Sequence, residues 1–128
     1  ESACKKYADT FIQSKFEDIK TWDYKVPDLV ICNPPFNNAG GGDLYPEVFL
    51  RKCFELFGEQ VKVVMVVPMG FRLNQTVNSE RWKYLSTCKA QITSIISLPL
   101  DCFKLKFHTE ILVFNVPRLK AHYFLYQE

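Results

Sequence analysis

Short apolar runs, each followed closely by proline, are the clearest pattern along the chain. Runs with Val, Ile and Leu in nearly every position are typical of buried strands. We predict strands over residues 28–32, 61–67, 92–98 and 109–116, a fifth over 121–126 and a further one over 11–16. Because the apolar residues are continuous rather than alternating, we expect a parallel or mixed α/β sheet that is covered on both faces.

Stretches with apolar residues at helical spacing separate these runs. The first predicts a helix that Asp43 caps and Gly58 ends, with Pro46 in its first turn. Ser79 predicts the start of another helix. We expect one face of the first helix to lie against the sheet. This face consists of Tyr45, Val48, Phe49, Cys53, Leu56 and Phe57. In such sheets, ligands bind beyond the carboxyl ends of the strands.

Composition excludes several classes of protein. The chain has 128 residues, of which 48% are hydrophobic and 23% charged, as in one globular domain or part of one. Its net charge of +2 by itself favours neither a nucleic-acid nor a membrane partner. Its five cysteines include no C-x-x-C pair, so we expect no disulfide framework, no metal site and a reducing, cytoplasmic environment. The longest strongly apolar run, residues 63–67, is far too short to cross a bilayer.

Glycine is distributed unevenly along the chain. All five glycines lie at residue 40 or later. A self-contained nucleotide-binding domain normally opens with a glycine-rich turn between its first strand and the following helix. That turn is not in this sequence.

The run at 28–32 ends in Asn33-Pro34-Pro35-Phe36, the most informative stretch of the chain. The prolines stiffen the backbone as it leaves the sheet, and Pro34 keeps Asn33 away from helical dihedral angles. The loop therefore presents one amide side chain, that of Asn33. It also presents the Pro34 carbonyl, and the next residue, Pro35, has no N–H. An amino group has two protons, and these two oxygens can accept both. Phe36 can stack on a planar ring, which is worth roughly 1–3 kcal/mol per base.

This stretch resembles motif IV of the S-adenosylmethionine-dependent amino methyltransferases, in which Asp, Asn or Ser precedes two prolines and an aromatic residue. The flanking segments follow in the same order, namely Phe16-Glu17-Asp18, Val63 to Pro68, a helix with Arg81, Ile95 to Pro99, Phe103, and Thr109 to Phe114. Over about residues 10–116, the chain resembles the catalytic half of the adenine-N6 DNA methyltransferases of restriction–modification systems.

The resemblance implies a fold and a reaction. The fold is Rossmann-like, and the chain would hold strands 4 to 7 of the family's sheet order 3-2-1-4-5-7-6, with flanking helices. The reaction is methyl transfer from S-adenosylmethionine to the exocyclic amino group of an adenine in DNA. Because the amino group lies inside the duplex, the adenine must first be flipped out.

The resemblance also implies roles for single residues. The catalytic residues would be Asn33, Pro34, Pro35 and Phe36. Asp18, with Glu17 as the competing acid, would contact the adenine of the cofactor. Phe103 and Phe107 are candidates for the second face of the base, with core packing as the alternative role of each.

The chain departs from the family in what it lacks. The glycine turn that grips the methionine end of the cofactor is absent, as is the strand whose acidic end binds the ribose. The strand at 28–32 would then be an exposed apolar edge, which proteins avoid. We expect an N-terminal segment, a second chain or a dimer contact to cover it. We interpret residues 1–128 as one domain, the C-terminal part of a methyltransferase catalytic domain without a target-recognition region.

Other functions stay open. The same loop serves methylation of RNA bases and of protein glutamine, and a net charge of +2 does not decide between these substrates. The chain is alternatively a non-catalytic fragment or partner subunit, which the missing glycine turn favours. Arg72, Lys104 and Lys106 are more typical of a solvated surface than of phosphate contacts.

Overall fold

The computed structural model describes residues 7–36, 38–40, 43–73, 83–85, 91–100 and 108–125. A short 3₁₀ helix spans Phe16–Asp18, and the α-helices are α1 (Tyr45–Phe57) and α2 (Gly70–Leu73). Residues 83–85, within the second predicted helix, are also helical, and the rest of that helix lies outside the described residues. The strands are β1 (Val30–Cys32), β2 (Asn38–Gly40), β3 (Asp43–Leu44), β4 (Val63–Pro68), β5 (Ile92–Ser97), β6 (Thr109–Phe114) and β7 (His122–Phe124).

The main sheet has five strands in the order β1-β4-β6-β5-β7. β1 is parallel to β4 and β7 is parallel to β5, whereas β6 is antiparallel to both β4 and β5. The predicted mixed α/β sheet is therefore confirmed. The first four strands of this order correspond to 4-5-7-6, the arrangement that the resemblance implied. β7 extends the sheet beyond it.

The segment before β1 differs from the prediction. Residues 11–16 form no strand, and the first strand among the described residues begins at Val30. The chain instead forms the 3₁₀ helix at Phe16–Asp18. A strand needs a hydrogen-bonded neighbour. No strand of the described residues lies beside this segment.

Helix α1 covers one face of the sheet. Leu50, Cys53 and Phe54 of the helix are buried against it. The sheet side chains that meet them include Cys32, Val63, Met65, Val67, Leu112 and Phe114. The rings of Phe54 and Phe114 contact each other edge to face, with centroids 5.8 Å apart. Burying a side chain of this size contributes about 1.5–3 kcal/mol, so this layer is the main source of stability.

The apolar residues of α1 form two stripes rather than one. Phe49 contacts Phe16 and Phe57 contacts Trp22, with ring centroids 5.5 Å and 5.0 Å apart. The predicted inner face omitted Leu50 and Phe54, which are buried, whereas its members Phe49 and Phe57 pack against the core and also contact these aromatic rings. They hold the segment that precedes β1, while Leu50 and Phe54 face the sheet.

The ends of α1 match the prediction only in part. Pro46 lies in the first turn as expected, but Leu44 rather than Asp43 occupies the capping position. Asp43 is paired with Gly40 in the antiparallel β2–β3 ribbon, which places it before the helix. At the other end, Gly58 adopts φ 93° and its N–H donates to the Phe54 carbonyl at 2.9 Å.

Replacing Gly58 with alanine is expected to lower the free energy of unfolding by about 1–3 kcal/mol, because this dihedral region is essentially limited to glycine. A Cβ there would meet no atom within 4 Å, so the loss would come from backbone strain and not from a clash. Urea denaturation followed by circular dichroism measures it. Glu55→Ala is the control, since that side chain is 65% exposed in the same helix. Equal stability of the two variants would contradict the prediction.

The second face of the sheet is only partly covered by the described residues. We call it the open face, and its side chains are Ile31, Val64, Ile96, Ile111 and Val113. A cleft of about 540 Å³ lies along it. Ile31 is 78% exposed. The expectation that both faces are covered is thus not met within the described part of the chain.

Strand β1 is an edge of the sheet, as expected. It pairs with β4 on one side, and no other strand of the described residues pairs with it. The Val30 N–H donates to the Lys62 carbonyl at 2.8 Å. Since successive N–H groups of a strand point to opposite sides, the Ile31 N–H points away from β4.

No helix within the described residues is long and apolar enough to cross a membrane.

Candidate active site

Asn33 leaves the sheet at the carboxyl end of β1. The preceding residue, Cys32, is paired with Met65 and is buried in the core under α1. Pro34 is fully buried, whereas Asn33 and Pro35 are exposed. The buried residues on either side of Asn33 therefore anchor the loop and leave its amide at the surface.

The Asn33 amide is available to a ligand. This side chain makes no hydrogen bond within the described residues. The Pro34 carbonyl precedes Pro35, which has no N–H, so the local backbone offers this oxygen no donor from the next residue. Phe36 is half-buried beside them. The four predicted catalytic residues thus lie at the sheet edge where ligands of α/β proteins bind. Pro34 is fully buried, so its carbonyl does not face solvent as the predicted role requires.

Asp18 lies on the 3₁₀ helix before β1. Its carboxylate is exposed, while the neighbouring Glu17 is half-buried. Phe16 of the same turn packs on Phe49 of α1, and Phe49 also contacts Tyr45 in the first turn of that helix. Asp18 is therefore held against the amino-terminal half of α1.

Helix α1 connects the two candidate regions. The Cys32 and Cys53 sulfur atoms lie 3.9 Å apart, which fixes the end of β1 on the helix. Phe49, which holds the Asp18 turn, is one helical turn before Cys53. The two attachment points are about 6 Å apart along the helix axis, at 1.5 Å per residue. The structure thus attaches the Asp18 turn and the Asn33 loop to the same part of one helix.

The two buried thiols affect each other. The hydrogen bond from Cys53 lowers the pKa of Cys32, and burial opposes this shift. The pKa of Cys53 is raised, first by the same hydrogen bond and then by burial. Either sulfur can donate in this contact. Both cysteines are free, and they pack as small buried residues.

The predicted base-stacking residues Phe103 and Phe107 lie outside the described residues. The segments that flank them are described. Leu98 follows β5, and its N–H donates to the Thr109 carbonyl at 3.1 Å. Both ends of this connection therefore lie at the same sheet edge as Asn33.

Sequence reasoning missed a buried ion pair at this edge. Glu110 of β6 is 0% exposed and accepts hydrogen bonds from Arg72 Nε at 2.9 Å and Nη2 at 3.1 Å. Arg72 belongs to α2, which follows β4 directly. The pair fixes the start of α2 against β6, so Arg72 has a structural partner rather than a purely solvated position. The signal in the sequence was a single carboxylate inside an otherwise apolar strand, which predicts a charged partner.

Removing Arg72 is expected to destabilise the protein strongly. Arg72→Leu would leave the Glu110 carboxylate buried without its partner, at a cost of about 3–5 kcal/mol. Chemical denaturation measures the loss. Lys25→Ala, which removes an exposed pair with Asp28 at 3.8 Å, is the control and should change stability by less than about 1 kcal/mol. A similar small effect in both variants would show that the buried pair is not important for the fold.

Three clefts border the described residues. One of about 630 Å³ lies at the segment before β1, between Phe16, Ile19 and Trp22. Another of about 620 Å³ lies at the carboxyl edge of the sheet, near β4, β5 and β7. The third runs along the open face. None of these three is lined by the loop 33–36.

Comparisons with solved structures find the same fold in three proteins. A protein from a study of complex assembly and conformational transition in the type I R-M system has a TM-score of 0.58 at 20% identity, over 79% of this chain and 24% of its own. A modification subunit assigned to a type I restriction enzyme from Vibrio vulnificus has a TM-score of 0.53 at 15% identity, over 76% of this chain and 23% of its own. A protein from Listeria monocytogenes, assigned to the class I S-adenosylmethionine-dependent methyltransferases, has a TM-score of 0.51 at 17% identity, over 76% and 35%.

The chain spans between 23% and 35% of the length of these proteins. No family model matches it, and no curated protein matches its sequence. At this level of identity, the comparisons establish the fold. Together with the observed strand order, they show that the chain carries part of the Rossmann-like fold that these proteins have.

Proposed function

We propose that this chain is the part of a methyltransferase that receives the exocyclic amino group of adenine in DNA. The observation that carries the proposal is the exposed Asn33 amide, which lies on a proline-stiffened loop at the carboxyl end of β1. The methyltransferase-like fold and the likeness to type I restriction–modification proteins support the reaction and the substrate class.

The chemistry follows from the hydrogen-bonding capacity of the loop. Asn33 Oδ1 accepts one proton of the amino group, and the Pro34 carbonyl accepts the other once the assembled site exposes it, since Pro34 is buried in this chain. Both acceptors pull the nitrogen out of conjugation with the ring, so its lone pair becomes nucleophilic. Phe36 stacks on the base and fixes its plane. The positive charge that develops on the nitrogen is relieved when one proton leaves.

S-Adenosylmethionine, when bound, supplies an electrophilic methyl group for this nitrogen. The residues of this chain fit one end of it. Asp18 offers an exposed carboxylate that can accept a hydrogen bond from the cofactor's adenine amino group. The glycine turn that would hold the methionine end is not in the sequence, so the cofactor site needs a further segment.

The variant Asn33→Ala tests the role of the loop in the assembled enzyme. Methyl transfer is expected to fall roughly 10²- to 10³-fold, because removal of one preorganised polar group at a reacting atom has this effect. Transfer of a radiolabelled methyl group to duplex DNA measures it, with RNA and a glutamine peptide as the other acceptors. Asp28→Asn is the control, since Asp28 is exposed at the other end of the same strand.

The acceptor series also distinguishes the alternatives. Labelling of RNA or of the peptide in place of DNA would replace the proposed substrate. Unchanged methylation by Asn33→Ala would contradict the catalytic role and favour a non-catalytic partner subunit, which the missing glycine turn also supports.

We further propose that another strand pairs in parallel with the free edge of β1, and that a helix from the same segment covers the open face. The exposed Ile31 side chain and the outward Ile31 N–H support this. The segment belongs to an N-terminal extension or to a second chain, and it carries the missing cofactor-binding turn.

Hydrogen–deuterium exchange tests the pairing. The Ile31 amide is expected to exchange fast in the isolated chain and to become protected in the assembly, because a new strand would accept its hydrogen bond. The Val66 amide is the control, since β4 has a neighbour on both sides in either state. Equally fast exchange of Ile31 in both states would show that its edge stays open.

A further inference from the structure

The cleft of about 620 Å³ at the carboxyl edge of the sheet has a rigid frame. The Met69 N–H donates to the His108 carbonyl at 3.0 Å. The Leu125 N–H donates to the Ser97 carbonyl, also at 3.0 Å. Hydrogen bonds therefore connect neighbouring strand ends across its floor. The cleft is part of the folded sheet and does not need a partner to form.

An exposed aromatic ring forms one wall of this cleft. Phe124 is 59% exposed, although it stacks on His122 with ring centroids 4.4 Å apart and planes within 7° of parallel. His122 is fixed in turn, since its Nε2 lies 2.9 Å from Ser97 Oγ. Because His122 is on the amino-terminal side of Phe124, the other face of the phenyl ring points toward the carboxyl edge. A planar ring that enters the cleft would continue this stack.

The cleft lies at the same edge as Asn33 but not beside it. Strand β7 is four positions from β1 in the sheet. With about 4.8 Å between neighbouring strands, Phe124 and Asn33 are separated by roughly 19 Å across the sheet. One base cannot contact both. A ring bound on Phe124 would belong to a different nucleotide of the same strand.

We propose that this cleft binds a second base of the nucleic-acid substrate, stacked on Phe124, while Asn33 receives the base to be methylated. The apolar walls formed by Leu98 and Pro99 suit the faces of a base, and His108 at the rim suits its polar edge. This inference rests on the proposed function, because it takes the substrate to be a nucleic acid.

Binding of a fluorescein-labelled single-stranded 12-mer deoxyoligonucleotide with a central adenine tests the cleft. Anisotropy titrations of Phe124→Ala should give affinity about 5- to 100-fold weaker than that of the unaltered chain, the usual effect of losing one base–aromatic stack. Tyr123→Ala is the matched control, because Tyr123 is the adjacent residue of β7 and its side chain faces the other side of the sheet. Thermal unfolding confirms that both variants are folded.

The position of binding gives a second readout. On addition of the unlabelled oligonucleotide, we expect the NMR chemical shifts of the Leu98 and Leu125 amides to change, because these residues border the cleft. We expect no such change in Phe124→Ala. Equal affinity of the Phe124 and Tyr123 variants would overturn the inference. So would the absence of oligonucleotide binding by the unaltered chain, or saturable binding of a tryptophan-containing peptide in its place.

The two proposals fail differently. Suppose that Asn33→Ala still methylates DNA, while Phe124→Ala binds the oligonucleotide more weakly. The proposed function would then be wrong, and the cleft would remain a nucleic-acid site. Loss of methyl transfer in Asn33→Ala with unchanged binding by Phe124→Ala would keep the function and remove the cleft.

Discussion

The packing of α1 on one face of the sheet is the contact on which the candidate site depends. Cys53 of this helix contacts Cys32 immediately before the Asn33 loop, and Phe49 holds the turn that carries Asp18. Neither the loop nor the turn has a sheet neighbour of its own within the described residues. Any change that shifts α1 would therefore move the proposed amino-group acceptor and the proposed cofactor contact together.

Much of this architecture was predictable from the sequence because it depends on short-range patterns. Apolar runs that end at proline marked β1, β4, β5 and β6, and the Asn33 to Phe36 stretch marked the loop at the carboxyl edge. The strand order was predictable through the family resemblance, since runs of apolar residues alone do not specify which strands are neighbours. The assignment of site roles to Asn33, Asp18, Phe103 and Phe107 stays a prediction.

The predictions that were wrong or incomplete have a common physical cause. The residue or strand that a segment contacts is either missing or far away in the sequence. Residues 11–16 have strand-like composition, but no neighbour is available for them to pair with. Phe49 and Phe57 have helical spacing that fits a sheet-facing stripe, and they border the core, yet they also pack on Phe16 and Trp22. The pair of Arg72 and Glu110 joins residues 38 positions apart, so the local pattern around Glu110 predicts a charged partner but does not identify it.

The free edge of β1 bears directly on catalysis if the missing segment pairs there. Each residue of register along a strand corresponds to about 3.3 Å, and a shift of one residue also turns side chains to the opposite face. Nucleophilic attack requires the reacting atoms to be positioned to about 3–3.5 Å. A slip of one residue between β1 and its new neighbour would thus move a methyl donor out of reach of Asn33. The Ile31 side chain points to the open face. One register of the new strand would bury this side chain, and a register shifted by one residue would leave it exposed, which is less stable. The exposed apolar edge is therefore the feature that would align the two halves of the active site.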